Sequence, residues 1–361
     1  MGKKIPKVVS IVGARPQFIK AAPVSQLLRK KAKEILVHTG QHYDENMSET
    51  FFSELKIPKP EYELGVGSGT HARQTGLMME RIEEVLLTEK PDFVLIYGDT
   101  NSTLAGALAT VKLHIPLGHV EAGLRSFNKQ MPEEVNRIVA DHCSDLLFCP
   151  TETAVKNLKS EGIVKGVFLT GDVMYDVALQ CAKLAEKRST ILKKLALKPK
   201  DYVLCTVHRA ENTDHEENLR EIVEALVRCG YPVVFPVHPR TRKFLSQYGL
   251  WSRLKDCARV RAIDPVGYFD MMVLEKNAFA VLTDSGGVQK EAYFFGIPCI
   301  TLRNETEWIE TVKEGWNILS GANTERILYA LSHIKITSKP RLVYGDGKSA
   351  QKIVEKILNF F

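Results

Sequence analysis

A segment of small and polar residues, Thr283 to Ala292, has the composition of an anion-binding turn. It follows an apolar run and opens a segment with helical spacing, so Ser285, Gly286 and Gly287 are expected at a helix N-terminus. Free backbone N–H groups and the positive end of the helix dipole would favour a phosphate there. Glu291 follows about one turn later and could accept hydrogen bonds from a ribose diol. The segment predicts a nucleotide site, with an ordinary helix cap as the alternative.

Charged residues also follow the first predicted strands. The turn GARPQFIK contains Arg15 and Lys20, which could neutralise a diphosphate, and it lacks the GxGxxG pattern of an NAD site. An exposed arginine at a helix start is the alternative for Arg15. Asp99 comes directly after an apolar strand in YGDTNSTLAGA and is either a helix N-cap or a site residue.

A dense charged segment follows the next strand. Surface salt bridges could use half of its charged residues, which are His119, Glu121, Arg125, Glu133, Glu134, Arg137, Asp141 and His142. Glu121 differs because it ends a strand that should be buried, where a carboxylate needs a partner or a chemical role.

Two histidines end successive predicted strands in the second half of the chain, His208 in TVHRAENTD and His238 in PVHPRT. Neither has a partner at a metal-ligand spacing such as HxxxH, so we predict no metal. Because the first turn lacks GxGxxG, we also predict no redox cofactor. Carboxylates with a histidine indicate proton transfer. Beside a bound nucleotide diphosphate, proton transfer indicates a nucleotide sugar whose ring carbon or glycosidic oxygen exchanges a proton or leaving group.

The bulk composition indicates an enzyme of two domains. The chain has 361 residues, of which 44% are hydrophobic and 25% charged. The net charge of +6 fits small anionic ligands but is spread too evenly for a nucleic-acid partner. Seven cysteines without a CxxC pair, including Cys143, Cys149, Cys205 and Cys299 in apolar runs, predict reduced core residues. Without a recognisable signal peptide or membrane span, we expect a cytoplasmic protein that is not attached to a membrane.

Short β-branched runs alternate with helical segments from end to end, which predicts two similar doubly wound α/β domains with parallel sheets. We place the first domain at 1–171, joined by a C-terminal helix at about 349–361, and the second at 172–348. A cleft between the carboxyl ends of the two sheets is the expected ligand site. The predicted strands are 8–12, 34–38, 93–97, 117–120, 146–149, 202–207, 233–237, 260–263, 278–282 and 299–302.

The order and the residue sequences of these segments resemble those of the non-hydrolysing UDP-N-acetylglucosamine 2-epimerases, which have the GT-B fold. The resemblance covers nearly the whole chain. It is carried by GARPQFIK, HTGQHYDENM, YGDTNSTLAGALA, HVEAGLRS, MPEEVNR, HRAEN, VHPRT, DPVGY and TDSGGVQKEA.

The resemblance implies elimination of UDP across C1 and C2 of the sugar to give a 2-acetamidoglucal, followed by re-addition with a proton delivered to the other face. We expect a UDP-sugar substrate, a homodimer and no cofactor. The implied catalytic residues are Asp99, Glu121, Glu133 and His208. The implied UDP contacts are Arg15, Ser285, Gly286, Gly287 and Glu291, to which the analysis of the first turn adds Lys20. Allosteric or sugar contacts are expected from Gln41, His42, Arg209 and His238, although Asp44 stands where a glutamine is common.

The substrate prediction depends on departures from the common family pattern. GTRPE and TERPE are frequent in the family, whereas this chain has Ala14 and Gln17 in the first motif and Trp308 and Ile309 in the second. This combination resembles the branch that converts UDP-2,3-diacetamido-2,3-dideoxyglucuronate to its mannuronate epimer. UDP-N-acetylglucosamine is the alternative substrate, and a GT-B glycosyltransferase is the alternative class of enzyme.

Overall fold

Two separate parallel sheets organise the chain. The computed structural model describes residues 5–41, 58–334 and 339–361, without the side chain of Arg15. One compact unit, unit 1, comprises Met1–Leu179 and Leu342–Phe361, and the other, unit 2, comprises Gln180–Arg341. Within unit 1, the C-terminal segment is fixed by Asp176, whose carboxylate accepts hydrogen bonds from the backbone N–H groups of Ser349 and Ala350.

The described residues of unit 1 form seven strands and seven helices, one of which is shared with unit 2. The strands are β1 (Lys7–Val12), β2 (Lys33–His38), β3 (Tyr62–Glu63), β4 (Phe93–Tyr97), β5 (Leu117–Val120), β6 (Leu146–Cys149) and β7 (Val167–Leu169). The helices are α1 (Arg15–Leu28), α2 (His71–Glu89), α3 (Asn101–Lys112), α4 (Pro132–Cys143), α5 (Glu152–Ser160), α6 (Val173–Arg188), which continues into unit 2, and α16 (Ser349–Leu358). The sheet order is β3-β2-β1-β4-β5-β6-β7, with every pairing parallel.

Unit 2 repeats this arrangement with six strands. These are β8 (Val203–Thr206), β9 (Val233–Pro236), β10 (Val260–Ile263), β11 (Ala280–Thr283), β12 (Cys299–Thr301) and β13 (Asn317–Leu319), in the parallel order β10-β9-β8-β11-β12-β13. The helices that lie wholly in its described residues are α7 (Ile191–Lys194), α8 (Ala210–Thr213), α9 (Glu216–Arg228), α10 (Pro239–Gln247), α11 (Leu250–Lys255), α12 (Tyr268–Asn277), α13 (Gly286–Phe294), α14 (Ile309–Lys313) and α15 (Thr324–Ser332).

The two sheets confirm the predicted pair of doubly wound parallel-sheet domains. Each sheet reverses its strand order between two central strands, β1 and β4 in unit 1 and β8 and β11 in unit 2. Loops that follow strands at such a reversal are the usual ligand sites of this architecture. Helix α1, which carries Lys20, and the turns that carry Asp99, His208 and Asp284 follow these four strands.

The ten predicted strands all correspond to observed strands, whereas β3, β7 and β13 were not predicted. These three lie at sheet edges and span only two or three residues. Edge strands that short have no apolar run long enough to be recognised. By contrast, β4 is buried at every position, which is the pattern of a strand covered on both faces.

All seven cysteines have free thiols. Cys149, Cys205 and Cys299 are buried as predicted, but Cys143 is only half-buried because it ends helix α4. Burial raises the pKa of the Cys299 thiol to about 12, which makes it unreactive near neutral pH. Among the described residues, no helix is long and apolar enough to cross a membrane.

The turn after β1 is held against the turn after β4 by the side chain of Gln17. Its Oε1 accepts hydrogen bonds from the backbone N–H groups of Gly13 and Ala14, at 2.8 and 3.0 Å. Its Nε2 donates to the carbonyl of Tyr97 at 2.6 Å and to the hydroxyl of Thr103 at 2.9 Å. The buried amide therefore uses its acceptor and its two donors to join the turn that precedes α1 to the turn that carries Asp99.

Gly13 is expected to be irreplaceable on steric grounds. A Cβ added there would lie 2.0 Å from Ser102 Oγ and 2.1 Å from Thr39 Oγ1, in a fully buried position. We predict that Gly13→Ala destabilises unit 1 by about 1–3 kcal/mol, the usual cost of overpacking. Gly76→Ala is the control, because Gly76 lies within α2 with open space around it. It should stabilise the helix by up to about 1 kcal/mol. Guanidinium denaturation followed by circular dichroism measures both, and equal midpoints would contradict the steric argument.

Candidate active site

Glu121 lies at the end of β5 in contact with Lys20 of α1, and both side chains are mostly buried. Gly98, which follows β4, lies over this ion pair. A Cβ added to Gly98 would stand 3.2 Å from Lys20 Nζ and 3.5 Å from Glu121 Oε2. A larger residue at 98 would therefore press on the ion pair. The carboxylate predicted from its buried strand end does have a charged partner, as its burial requires.

The backbone of Glu121 is strained, with φ at +74°. A non-glycine residue in this left-handed region costs about 1–2 kcal/mol. Its backbone N–H donates to the carbonyl of Phe148 at 3.1 Å, and Ala122 donates to the same carbonyl at 3.1 Å. These bonds to β6 fix the conformation that turns the Glu121 side chain toward Lys20. Strain of this kind is concentrated at functional sites.

Asp99 lies beside Gly98 and is ion-paired with Arg137 of α4, with 2.5 Å between Arg137 Nη2 and Asp99 Oδ2. The Asp99 side chain is 32% exposed, whereas that of Arg137 is 4% exposed. Arg137 also contacts Glu134 through Nη1 at 3.1 Å. Asp99 is therefore a carboxylate with one side fixed by a buried cation and another side open to solvent.

Glu133 and Glu134 are adjacent in α4 but have different surroundings. Glu134 is buried and its two oxygens accept hydrogen bonds from the backbone N–H groups of Ser126 and Phe127, both at 2.9 Å, as well as from the Ser126 hydroxyl. Glu133 is half-buried and has no hydrogen-bond or ion-pair partner among the described residues. Glu134 therefore holds the preceding loop, and Glu133 is the carboxylate available to a ligand.

A buried charge network underlies these groups. His119 of β5 is fully buried, with Nδ1 2.7 Å from Asp141 Oδ1 and Nε2 2.7 Å from the carbonyl of Gly98. Arg125 donates to Asp141 Oδ2 at 2.7 Å and holds Glu161 with two bonds of 2.7 and 2.6 Å. Burial alone would raise the pKa of Asp141, but His119 and Arg125 outweigh it and lower that pKa. Through His119, this network fixes the position of the Gly98 carbonyl.

The predicted allosteric or sugar contacts of unit 1 are only partly within the described residues. Gln41 accepts hydrogen bonds from the backbone N–H of Ser102 at 3.1 Å and from its hydroxyl at 2.7 Å, which ties it to the start of α3. His42 and Asp44 lie outside the described residues. Arg15 is the first residue of α1, and only its backbone is described.

In unit 2, the carboxylate of Asp284 organises the loop after β8. It follows β11, is fully buried, and accepts hydrogen bonds from the backbone N–H groups of His208 at 3.1 Å and Arg209 at 3.0 Å. Asn212 Nδ2 donates to the same carboxylate at 3.0 Å and to the carbonyl of Leu302 at 3.0 Å. Asp284 therefore sets where the HRAEN loop lies relative to the start of α13.

His208 and His238 lie side by side, with their ring centroids 5.7 Å apart. Burial lowers the pKa of His208, and the charge of Asp284 only partly offsets this effect. Burial, followed by the charges of His208 and Arg240, lowers the pKa of His238. The His238 Nδ1 accepts the backbone N–H of Arg240 at 3.2 Å, so its proton is on Nε2. Both rings are neutral near pH 7 and offer hydrogen bonds without an added charge.

The predicted phosphate-binding turn does lie at a helix start. Ser285 is the N-cap of α13, and its side chain makes no capping hydrogen bond. A Cβ added to Gly286 would lie 2.5 Å from Glu307 Oε1 and 3.2 Å from Trp308 Nε1. A Cβ added to Gly287 would meet only Ser285 Oγ, at 3.8 Å. Gly286 is therefore needed for close packing of the 307–308 segment, whereas Gly287 leaves the helix start open.

Trp308 is buried against the ammonium group of Lys290, with 3.8 Å from Lys290 Nζ to the ring centroid. Such cation–π contacts are strongest when the cation is desolvated, as Lys290 is here. Trp308, one of the residues on which the substrate prediction depends, is therefore packed between α13 and the start of α14. It lies at the edge of the glycine turn through Gly286.

Glu291 lies one helical turn after Gly287 and is mostly buried. Tyr268 of α12 donates a hydrogen bond from its hydroxyl to Glu291 Oε1 at 3.2 Å. The carboxyl group of Glu275, also in α12, contacts that of Glu291. Burial, and then the charge of Glu291, raises the pKa of Tyr268 well above its usual value, so the phenol stays protonated as a donor.

The supporting contacts of Asp284, Glu275 and Tyr268 were not predicted from the sequence. Asp284 lies in the TDSGGVQKEA motif, but its hydrogen bonds are to a loop 76 residues earlier in the chain. Glu275 is recognisable only as an acidic residue within a helix that is mostly buried. Among the described residues, no group of three or more histidine, cysteine, aspartate or glutamate side chains could hold a metal ion.

Known proteins resemble the chain over nearly its whole length. The family described as UDP-N-acetylglucosamine 2-epimerase matches residues 26–358. A UDP-N-acetylglucosamine 2-epimerase homolog of Methanococcus maripaludis is 57% identical over 98% of this chain and 99% of its own. The UDP-2,3-diacetamido-2,3-dideoxy-D-glucuronate 2-epimerase of Pseudomonas aeruginosa is 50% identical over 97% and 98%.

A solved structure extends the likeness to the fold. The UDP-GlcNAc 2-epimerase of Methanocaldococcus jannaschii, crystallised with UDP-GlcNAc and UDP, has a TM-score of 0.89 and 46% identity. The match covers 98% of this chain and 100% of that one. Together with the two doubly wound parallel sheets and the motifs at their strand ends, these matches show that the chain belongs to the UDP-N-acetylglucosamine 2-epimerase family and is a UDP-sugar epimerase with a GT-B-like fold.

Proposed function

We propose that this enzyme inverts C2 of a UDP-linked 2-acetamido sugar by eliminating UDP and adding it back. The observation that carries the proposal is the pair of carboxylates after neighbouring strands, Asp99 after β4 and Glu121 after β5. The register pairs Tyr97 with Val120, so these two carboxylates leave the sheet at the same edge. One is half-exposed beside Arg137 and the other is buried beside Lys20. Epimerisation requires two groups that act on opposite faces of one carbon.

The electron balance explains why UDP must leave. A proton on the acetamido-bearing C2 is not acidic, so a base alone cannot remove it at a useful rate. When the C2–H bond breaks, its electron pair forms the C1=C2 double bond, and the C1–O bond breaks with its electrons going to UDP. In the return step, UDP attacks C1 and a proton is added to the opposite face of C2. The elimination and the re-addition are therefore balanced in atoms and electrons without an oxidant or cofactor.

We assign acid and base roles to Asp99, Glu121 and Glu133, and a proton or diphosphate contact to His208. Support comes from their surroundings: Asp99 and Glu121 each contact a cation, and Glu133 is free among the described residues. The lowered pKa of His208 leaves its ring neutral near pH 7, so it can accept a proton as a charge develops on the leaving diphosphate.

We assign UDP binding to Arg15, Lys20, the 285–287 turn and Glu291. An ammonium group has three donors, so Lys20 can contact a diphosphate while it remains paired with Glu121. The start of α13 supplies backbone N–H groups to the phosphates, and Glu291 accepts from the ribose hydroxyls. Gln41, His42, Arg209 and His238 remain candidates for an allosteric or second sugar contact. We also expect a cytoplasmic homodimer.

We further propose UDP-2,3-diacetamido-2,3-dideoxyglucuronate as the substrate. Two observations support this choice over UDP-N-acetylglucosamine. The chain is 50% identical, over nearly its whole length, to the P. aeruginosa enzyme named for that sugar. In addition, Trp308 stands where an arginine is common and packs on Lys290, at the edge of the glycine turn.

Each substrate, offered separately in deuterated water and followed by NMR, tests both parts of the proposal. We expect faster conversion of the diacetamido glucuronate and deuterium at C2 of the product, because the proton is exchanged through enzyme groups. Faster conversion of UDP-N-acetylglucosamine would overturn the substrate choice alone. Complete retention of protium at C2 would overturn elimination. A requirement for an acceptor molecule would favour the glycosyltransferase alternative, since an epimerase needs none.

The carboxylate roles are tested by Asp99→Asn and Glu121→Gln. Removing a general acid or base lowers kcat by about 100-fold or more, and UDP should still bind. Glu152→Gln is the control, because Glu152 is exposed in unit 1 and makes only a 4.0 Å contact with Lys156. Steady-state kinetics and calorimetric UDP titration measure the two effects. A kcat near that of the control would remove the substituted residue from the catalytic set.

The adjacent pair Glu133 and Glu134 gives a matched comparison. Glu133→Gln should lower kcat by about 100-fold without changing the denaturation midpoint, because its carboxylate has no partner among the described residues. Glu134→Gln should destabilise the protein by about 1–3 kcal/mol, because it leaves buried donors unsatisfied. Kinetics and guanidinium denaturation of both variants are the measurements. The reverse result, with loss of stability at 133 and of kcat alone at 134, would exchange their roles.

A further inference from the structure

A buried cluster of Glu275, Tyr268 and Glu291 links α12 to α13 in unit 2. Glu275 is 1% exposed, Tyr268 6% and Glu291 7%. The Tyr268 hydroxyl is 3.2 Å from Glu291 Oε1, and the carboxyl of Glu275 contacts that of Glu291. Neither oxygen of Glu275 receives a hydrogen bond from a donor in the described residues. A fully buried carboxylate in that situation would be strongly destabilised.

Two carboxyl groups in contact inside a protein cannot both be ionised, because burial and like-charge repulsion act together. The lower-energy state is one proton held between them. Burial, and then the charge of Glu291, raises the pKa of Glu275 well above its usual value. The proton is therefore held by Glu275, the more deeply buried of the two, and its OH group donates to the Glu291 carboxylate.

We propose that Glu275 is a positioning residue for nucleotide binding, a neutral acid that hydrogen-bonds Glu291 and holds it as a carboxylate facing the ribose. This inference rests on the proposed ribose contact of Glu291. Glu291 then receives two donors from inside the protein, the carboxyl of Glu275 and the phenol of Tyr268. The two vicinal hydroxyls of the ribose would donate to the same carboxylate. A protonated Glu291 could not accept both hydroxyls equally well.

The arrangement predicts how substitutions at Glu275 behave. In Glu275→Gln, the amide NH₂ still donates to Glu291, so ribose recognition is kept. In Glu275→Met, the side chain has a similar length but cannot donate, so Glu291 loses its orientation. Loss of one hydrogen bond to a charged group corresponds to about a tenfold change in affinity or somewhat more.

Calorimetric titration with UDP and with 2′,3′-dideoxy-UDP separates this role from a structural one. The wild type and Glu275→Gln should both bind UDP more tightly than the dideoxy analogue. Glu275→Met should bind UDP about tenfold more weakly than the wild type, with unchanged affinity for the analogue. A wild type that binds both nucleotides equally would overturn the ribose role of Glu291 and this inference with it. Discrimination that persists undiminished in Glu275→Met would overturn the role of Glu275 alone.

Infrared spectroscopy tests the proton without depending on a ligand, and it applies even if Glu275→Met fails to fold. At neutral pH the difference spectrum between the wild type and Glu275→Gln should contain the C=O stretch of a protonated carboxylic acid. That band should shift when UDP is added, because the ribose changes the hydrogen bonding of Glu291. A difference spectrum with only the bands of an ionised carboxylate would show that Glu275 is charged and would overturn the proposal.

Discussion

The ion pair between Lys20 and Glu121 is the constraint on which the site of unit 1 depends. Both charges are mostly buried, so each requires the other. Gly98 packs against both charged groups, and a Cβ there would stand 3.2 Å from Lys20 Nζ and 3.5 Å from Glu121 Oε2. The carbonyl of the same glycine accepts a hydrogen bond from His119, which in turn is held by Asp141. The ion pair, the turn after β4 and the buried network under β5 therefore have to form together.

Unit 2 holds its carboxylates in a different way. Asp284 is surrounded by backbone N–H groups and an asparagine amide, and Glu291 by a phenol and a second carboxyl. These donors fix the orientation of each carboxylate. In unit 1, by contrast, Glu121 and Asp99 are held by ion pairs to Lys20 and Arg137.

Much of the fold was predictable because parallel strands covered on both faces are apolar along their whole length. Strands such as β4 and β5 were predicted with the bounds observed, since every residue of each is buried. The turns after them were identified as well, because a charged residue directly after a buried strand is conspicuous. Edge strands such as β13 were missed, because two or three half-exposed residues give no periodic pattern.

The support of the site was less predictable, because it depends on contacts between distant parts of the chain. Glu133 and Glu134 are the same residue type at adjacent positions, and only the packing of α4 against the 126–128 loop distinguishes them. Asp284 resembled a helix cap, and its bonds to the 208–212 loop require β8 and β11 to be neighbours. Glu275 has no local pattern at all, since its role requires α12 to pack on α13.

The strained backbone of Glu121 shows how these constraints combine. A glycine at 121 would adopt a φ of +74° at no steric cost, whereas glutamate costs about 1–2 kcal/mol there. Glycine would also leave the ammonium of Lys20 buried without its contact to the Glu121 carboxylate, and a buried charge that loses its partner costs more than the strain. The conformation is therefore tolerated because it is the one that delivers a carboxylate to Lys20. The same geometry leaves that carboxylate at the edge of the sheet where Asp99 also lies, because Tyr97 pairs with Val120.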